Sequence, residues 1–170
     1  MEIIAQILSI IGMIGTVLAF QIKSKSRFCF ATMCTCTLFA ASYCLFGICG
    51  TTGAFTSAGV NLICAGRGAF ASYSKTRTKP WFALICVLLI TVAVFTYDGI
   101  MSIFICFAEL LATFSMWFTR EITIRRLRYA VISPIWLVNN WRIGSIGAVI
   151  CEIFSIISAI IFCIRMKKKA

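Results

Sequence analysis

The sequence predicts an all-α integral membrane protein with seven transmembrane helices, built as two parallel three-helix units joined by an inversion helix (3+1+3). Three observations carry that prediction. The first is composition: of 170 residues, 61% are hydrophobic and only 12% are charged, with a mean hydropathy of +1.01. A soluble domain carries about 25% charged residues, so this chain lacks the polar surface to stay in water. The second is a series of apolar runs, each near the roughly 20 residues that cross a bilayer as a helix. The third is the placement of the basic residues between those runs.

The runs lie near residues 3–20, 28–47, 51–72, 81–97, 99–118, 127–143 and 146–165. The first has Glu2 as its only charge, and its neighbouring bases follow it rather than precede it. A secretory signal has the opposite order, so this run reads as a first transmembrane helix with its N-terminus outside. The second and third runs are separated by Ile48-Cys49-Gly50. The stretch from Trp81 to Phe118 is too long for one crossing. Tyr97-Asp98-Gly99 divides it, because Asp and Gly form turns. The last two runs meet at Gly144.

Charge tests this count independently. With the N-terminus outside, the inner connections carry Lys23, Lys25 and Arg27, then Lys75, Arg77 and Lys79, then Arg120, Arg125, Arg126 and Arg128. The tail adds Arg165, Lys167, Lys168 and Lys169, so 14 of the 16 basic residues lie inside and the C-terminus is cytoplasmic. Arg142 alone falls in an outer loop, and Arg67 lies within the third helix. A six-helix count would spoil this positive-inside pattern. The net charge of +11 is therefore mostly topology. Bases divided among short loops make no nucleic-acid surface, and no such partner is expected.

There are ten cysteines and no histidine. The cysteines are scattered along apolar runs with no C-x-x-C, so they read as small hydrophobes. No metal, no cofactor and no enzymatic activity is expected.

Gly50-Thr51-Thr52-Gly53-Ala54 and Gly144-Ser145-Ile146-Gly147-Ala148 share the pattern G-[ST]-x-G-A, 94 residues apart. Each falls at the outer start of a helix, the third and the seventh. The pairs Gly50/Ala54 and Gly144/Ala148 put small residues four apart, a spacing that lets helices pack closely. A three-helix unit repeated directly would emerge upside down, and one extra helix restores its orientation. The units are then residues 1–73, with a basic loop and linker helix at 74–98, and residues 99–170 with the basic tail. Parallel repeats of this kind belong to the SWEET type of transporter architecture.

Polar residues inside a membrane are functional candidates, because burying them unpaired costs several kcal/mol. Asn61 lies about ten residues into the third helix, or ~15 Å, near the midplane. Its amide suits a solute hydroxyl, the alternative being an interhelical hydrogen bond. Asn139, Asn140 and Trp141 occupy the outer half of helix six. Amides beside an indole suit a sugar ring or a heterocycle, while Trp141 also suits the interfacial aromatic belt. Trp136 sits deeper, and Pro134 in the same helix is expected to kink it near residues 130–134. Glu109 in helix five is either neutral or paired, with an amide or with Arg67, and a proton-coupled site would use such a carboxyl. Glu152 faces the same choice, with pairing to Arg142 as the alternative. Arg67, towards the inner end of its helix, can snorkel to the cytoplasmic interface.

A resemblance follows from these residues. "IGMIGTVLAFQIKSKS", "LFAASYCLFG" and "GVN" resemble a PQ-loop/SWEET triple-helix unit. Gly15-Thr16, Gln21 and Asn61 stand at the matching positions, and Phe20 replaces the proline. "WLVNNWRIGSIGAVICEIFSIISAIIFCIRM" is closer to the YgjV family of small bacterial inner-membrane proteins, through Trp136, Asn140, Gly144-Ser145-Ile146-Gly147 and, approximately, Glu152. The resemblance implies a multi-pass protein of the bacterial inner membrane and bears on fold more than on function.

Two classes of function follow. One is a SWEET-like carrier for a neutral polar solute such as a sugar, nucleoside or vitamin precursor, held at Asn61, Asn140, Trp136, Trp141 and Asn139. The other is a non-transporting accessory or receptor protein that keeps the fold. An intramembrane redox enzyme would require Cys44 and Cys49 as a pair. The expected partners are the lipid bilayer and a small-molecule solute. Oligomeric state is open, a homo-oligomer included.

Overall fold

A computed structural model of the chain describes residues 1–19, 22, 24–73, 79–118, 123 and 126–167. These residues form seven α-helices and no strand: α1 (Glu2–Ala19), α2 (Lys25–Ile48), α3 (Ala54–Tyr73), α4 (Lys79–Phe95), α5 (Ile100–Phe118), α6 (Ser133–Ile143) and α7 (Ile146–Lys167). A π turn, Arg128–Ile132, leads directly into α6. The boundaries fall within a few residues of the apolar runs. In lipid a chain must satisfy its own backbone, so runs rich in Ile and Val that would favour strands in water close into helices.

Neighbouring helices form a closed ring. α1 packs on α2, α2 on α3, α3 on α5, α5 on the π turn and α6, α6 on α7, and α7 back on α1. α4 stands outside the ring, against α3 and α5. The ring is apolar outside and polar within. Ile3, Leu18, Val87, Phe95, Phe107 and Phe154 are all more than half exposed, whereas Ser9, Ser42, Thr56, Ser102 and Thr113 are fully buried. That is the reverse of a soluble protein and is what a lipid environment demands.

One end of the ring gathers the start of α1 and three turns. Gln6 of α1 donates to the Gly144 carbonyl and accepts from Ile146 N at 3.2 Å. Gly53 N donates to Asp98 Oδ2 at 2.7 Å, and Thr56 bonds Thr96 and Ser102. This is the glycine-turn end. At the opposite, basic end Arg27, Arg126 and Arg128 are exposed. Of the other bases expected there, Lys23, Lys75, Arg77, Arg120, Arg125, Lys168 and Lys169 lie outside the described residues.

The two G-[ST]-x-G-A elements open with the same cap, but their second glycines differ: Gly53 is left-handed (φ 77°) ahead of α3, whereas Gly147 lies within α7. Gly50 (φ 88°) and Gly144 (φ 79°) are left-handed and terminate α2 and α6. Gly50 N bonds Gly47 O at 2.9 Å while Thr51 N bonds Phe46 O at 3.0 Å. Gly144 N bonds Trp141 O at 3.1 Å while Ser145 N bonds Asn140 O at 3.0 Å. Both are Schellman caps, which need a residue free of a Cβ at the left-handed position. The expectation that Gly50 and Gly144 pack helices together is therefore corrected: nothing lies within 4 Å of a Cβ at either. Ala54 and Ala148 do pack, at 0% and 3% exposure. The close approach is made instead by Gly147, where a Cβ would sit 2.5 Å from the Ser9 carbonyl carbon. There Ser9 Oγ lies 2.7 Å from Ser145 Oγ and accepts from Ala148 N at 3.0 Å, fastening α7 to α1.

Pro134 follows the π turn. Ser133 N donates to Arg128 O, five residues back, and Pro134 has no N–H to offer the next carbonyl. The π turn overlaps the stretch, near residues 130–134, where a kink is expected.

Candidate functional site

A cavity of about 340 Å³ lies inside the ring. Every ring helix contributes to its wall, the sixth also through its π turn, and α4 contributes nothing. The wall residues follow helical spacing: Thr32, Thr35, Cys36, Phe39 and Tyr43 on α2; Asn61, Cys64 and Arg67 on α3; Arg128, Ile132, Trp136 and Asn140 from the π turn into α6. Each set recurs at three or four residues, so each lies along one helix face.

At the centre of the wall is Glu109, 8% exposed. Its Oε1 accepts the indole N–H of Trp136 at 3.1 Å. Its Oε2 accepts the Cys64 thiol at 3.1 Å and Arg67 Nη2 at 3.4 Å. Arg67 Nη1 donates to Thr113 Oγ1 at 2.7 Å. Of the two arrangements open to Arg67, the structure takes the ion pair rather than the snorkelled one. A buried carboxylate without a partner is expensive, and the guanidinium is the group within reach that can compensate it.

Nearer the glycine-turn end, Tyr43 is 2% exposed and donates its hydroxyl to Asn140 Oδ1 at 2.6 Å. Its ring stacks between Phe39 and Trp136, with centroids 6.4 Å from each. These separations are those of favourable aromatic pairs. Asn140 is 2% exposed and lines the cavity, and its Nδ2 donates to none of the described residues. Asn61 donates to the Ser57 carbonyl at 2.9 Å and lines the cavity.

Several expected site residues lie elsewhere. Trp141 is 76% exposed and off the cavity wall, so its indole faces outward and not the cavity mouth. One step along a helix rotates the side chain by about 100°, which sends Trp141 out where Asn140 points in. Asn139 is buried at 2% but donates to Ser57 Oγ at 2.9 Å, joining α6 to α3 away from the cavity. Glu152 is on the wall, but Arg142 is exposed at the glycine-turn end and does not pair with it. Among the described residues the ion pair is Arg67–Glu109 alone. Cys44 and Cys49 are exposed and unpaired. No three metal-ligating side chains cluster among the described residues.

Tyr43, Cys64 and Arg128 belong to the wall without having stood out in the sequence. Tyr43 reads there as the aromatic end of a helix, Cys64 as one apolar cysteine of ten, and Arg128 as a loop base. Their signal is the spacing: Tyr43 continues the Thr32, Cys36, Phe39 face, and Arg128 stands four residues from Ile132 and eight from Trp136.

No curated protein and no solved structure matches the chain. The PQ-loop/SWEET likeness accordingly rests on its motifs. The family Imp-YgjV, described as bacterial inner membrane protein, matches residues 3–170. The apolar exterior and polar interior suit that description. The chain belongs to the Imp-YgjV family and is a multi-pass protein of the bacterial inner membrane.

Proposed function

We propose that the chain is a small-solute carrier working by alternating access, with the ring cavity as its solute site. The observation that carries this reading is a volume of about 340 Å³ between six helices, lined by aromatic rings and by several polar and charged side chains, in a protein otherwise packed for lipid. Cavities of about 300–1,000 Å³ hold small organic ligands. In this reading Asn61 and Asn140 hydrogen-bond the solute, and the Phe39, Tyr43 and Trp136 rings give it a flat apolar face. The wall carries Arg67, Arg128, Glu109 and Glu152, two charges of each sign, which suits a solute without net charge.

The moving parts are two units, α1–α3 and α5–α7, with α4 as the inverting linker, the N-terminus outside and the C-terminus cytoplasmic. The identical caps at Gly50 and Gly144 support a repeat. So does the ring order, in which the α3–α5 and α7–α1 contacts occupy equivalent places. The exclusion of α4 from the cavity wall agrees with a linker role. Three polar contacts cross between the units on the wall itself: Arg67 to Glu109, Cys64 to Glu109, and Tyr43 to Asn140. Rocking of the units would break and remake them.

The test is a thermal-shift panel of sugars, nucleosides, vitamin precursors and amino acids at millimolar concentration on purified protein, wild type beside Asn61→Ala and Asn140→Ala. A ligand at 100 times its dissociation constant stabilises by about 2.7 kcal/mol. The expected result is a shift for one solute class that both variants lose. Counterflow in liposomes with that solute would follow. A flat panel on folded protein, with no counterflow, would favour an accessory or receptor protein instead.

A further inference from the structure

Within the carrier reading, on which this step rests, we infer that the solute is a zwitterion, with its anionic group bound at Arg128 and its cationic group at Glu152. The argument starts from which wall charges are already satisfied. Arg67 is held by Thr113, Cys64 and Glu109, and Glu109 by Trp136, Cys64 and Arg67. A solute gains little from groups so occupied, because it would have to displace existing charge-assisted bonds.

Arg128 and Glu152 differ. Both line the same cavity, one from the π turn and one from α7, yet they form no ion pair with each other. Arg128 stands exposed toward the basic end, while Glu152 is half-buried nearer the middle. A half-buried carboxylate such as Glu152, without an ion pair in a membrane protein, is costly unless something lies between it and the nearby Arg128 guanidinium. Water can, and so can a solute that brings a carboxylate to the guanidinium and an ammonium to the carboxylate. The rings of Phe39, Tyr43 and Trp136 line the same volume and accept an apolar side chain. Together these describe an amino-acid-like ligand: two opposite charges and a hydrophobic or aromatic substituent.

The experiment uses the full chain in detergent or nanodiscs and three related probes: leucine, leucinamide, which lacks the anion, and N-acetylleucine, which lacks the cation. Glucose and uridine serve as neutral controls. Binding is read by calorimetry or thermal shift for wild type, Arg128→Gln and Glu152→Gln. Wild type should prefer leucine to either single-charge probe by roughly tenfold or more, the cost of leaving one charged group unpaired. Arg128→Gln should lose the preference over leucinamide and keep that over N-acetylleucine; Glu152→Gln should do the reverse. These ratios are taken within each variant, so a general loss of stability does not mimic them. Binding of glucose or uridine without leucine would overturn the zwitterion and leave the carrier standing. Equal binding of all three leucine probes would also overturn it. No binding of any compound by folded protein would count against both.

Discussion

Glu109 shows how a single residue can couple several helices, since its carboxylate accepts from Cys64 and Arg67 on α3 and Trp136 on α6. Replacing it by Gln leaves the Arg67 guanidinium, only 14% exposed, without its counter-charge. Breaking a buried pair in this way costs about 3–5 kcal/mol. The expected outcome is that Glu109→Gln lowers unfolding stability by that order and that the Arg67→Met/Glu109→Gln double variant recovers part of it. Additive losses in the double-mutant cycle would mean that the two side chains act independently. Tyr43→Phe is the milder test. It leaves Asn140 Oδ1 without its 2.6 Å donor, and the expected loss is about 1 kcal/mol. That loss should vanish in an Asn140→Ala background. Which polar residues sit inside the membrane is legible in the sequence; which way each one points is not. A helix in lipid is apolar all round, so hydropathy gives no inward face. Trp141 and Asn140, one residue apart, end up on opposite sides of that line.

The elements themselves were the most legible feature, because bilayer thickness fixes their length and glycine marks their ends. What the pattern concealed is the division of labour inside the second G-[ST]-x-G-A. Both glycines of the second element are needed, for different reasons, and alanine substitution separates them. Gly144→Ala puts a Cβ on a left-handed residue with open space around it. The expected cost is about 1–2 kcal/mol, with helix packing intact. Gly147→Ala instead drives a Cβ to 2.5 Å from the backbone of Ser9, which no rotamer change can relieve. α1 and α7 must separate, with loss of the bond from Ala148 N to Ser9 Oγ. Overpacking of this kind costs about 1–3 kcal/mol, and more where backbone meets backbone. Gly147→Ala should therefore lower the unfolding temperature further than Gly144→Ala, and cross-linking between cysteines placed on α1 and α7 should weaken in it alone. If the two variants behave alike, the close contact at Ser9 is not a constraint. A small residue four positions from another is thus too coarse a signal: a cap and a packing contact both select glycine, and only φ and the neighbouring backbone tell them apart.

At the scale of the whole molecule, the ring places every described turn that carries a left-handed glycine at one end and the exposed Arg27, Arg126 and Arg128 at the other. This polarity gives the proposed orientation a direct test. Bases in short loops are retained in the cytoplasm, so the basic end should face inward and the glycine-turn end outward. Alkaline phosphatase is active only outside the inner membrane, and green fluorescent protein fluoresces only inside it. Fusions after residue 78 and after Ala170 should be fluorescent and phosphatase-silent. A fusion after Asp98 should show the reverse. Moving the bases shifts the outcome in a defined way: replacing Lys75, Arg77 and Lys79 by Gln weakens retention of that loop and should raise phosphatase activity at residue 78. Matching signals at 78 and 98 would mean that α4 does not cross, giving six spans and placing the two three-helix units in inverted rather than parallel orientation. In that arrangement the two Gly-Ser/Thr caps would face opposite sides of the membrane. The hydrogen bonds from Gly53 to Asp98 and from Gln6 to Gly144 could then not lie at one end of the ring. The fusion pattern and the placement of those two bonds therefore stand or fall together.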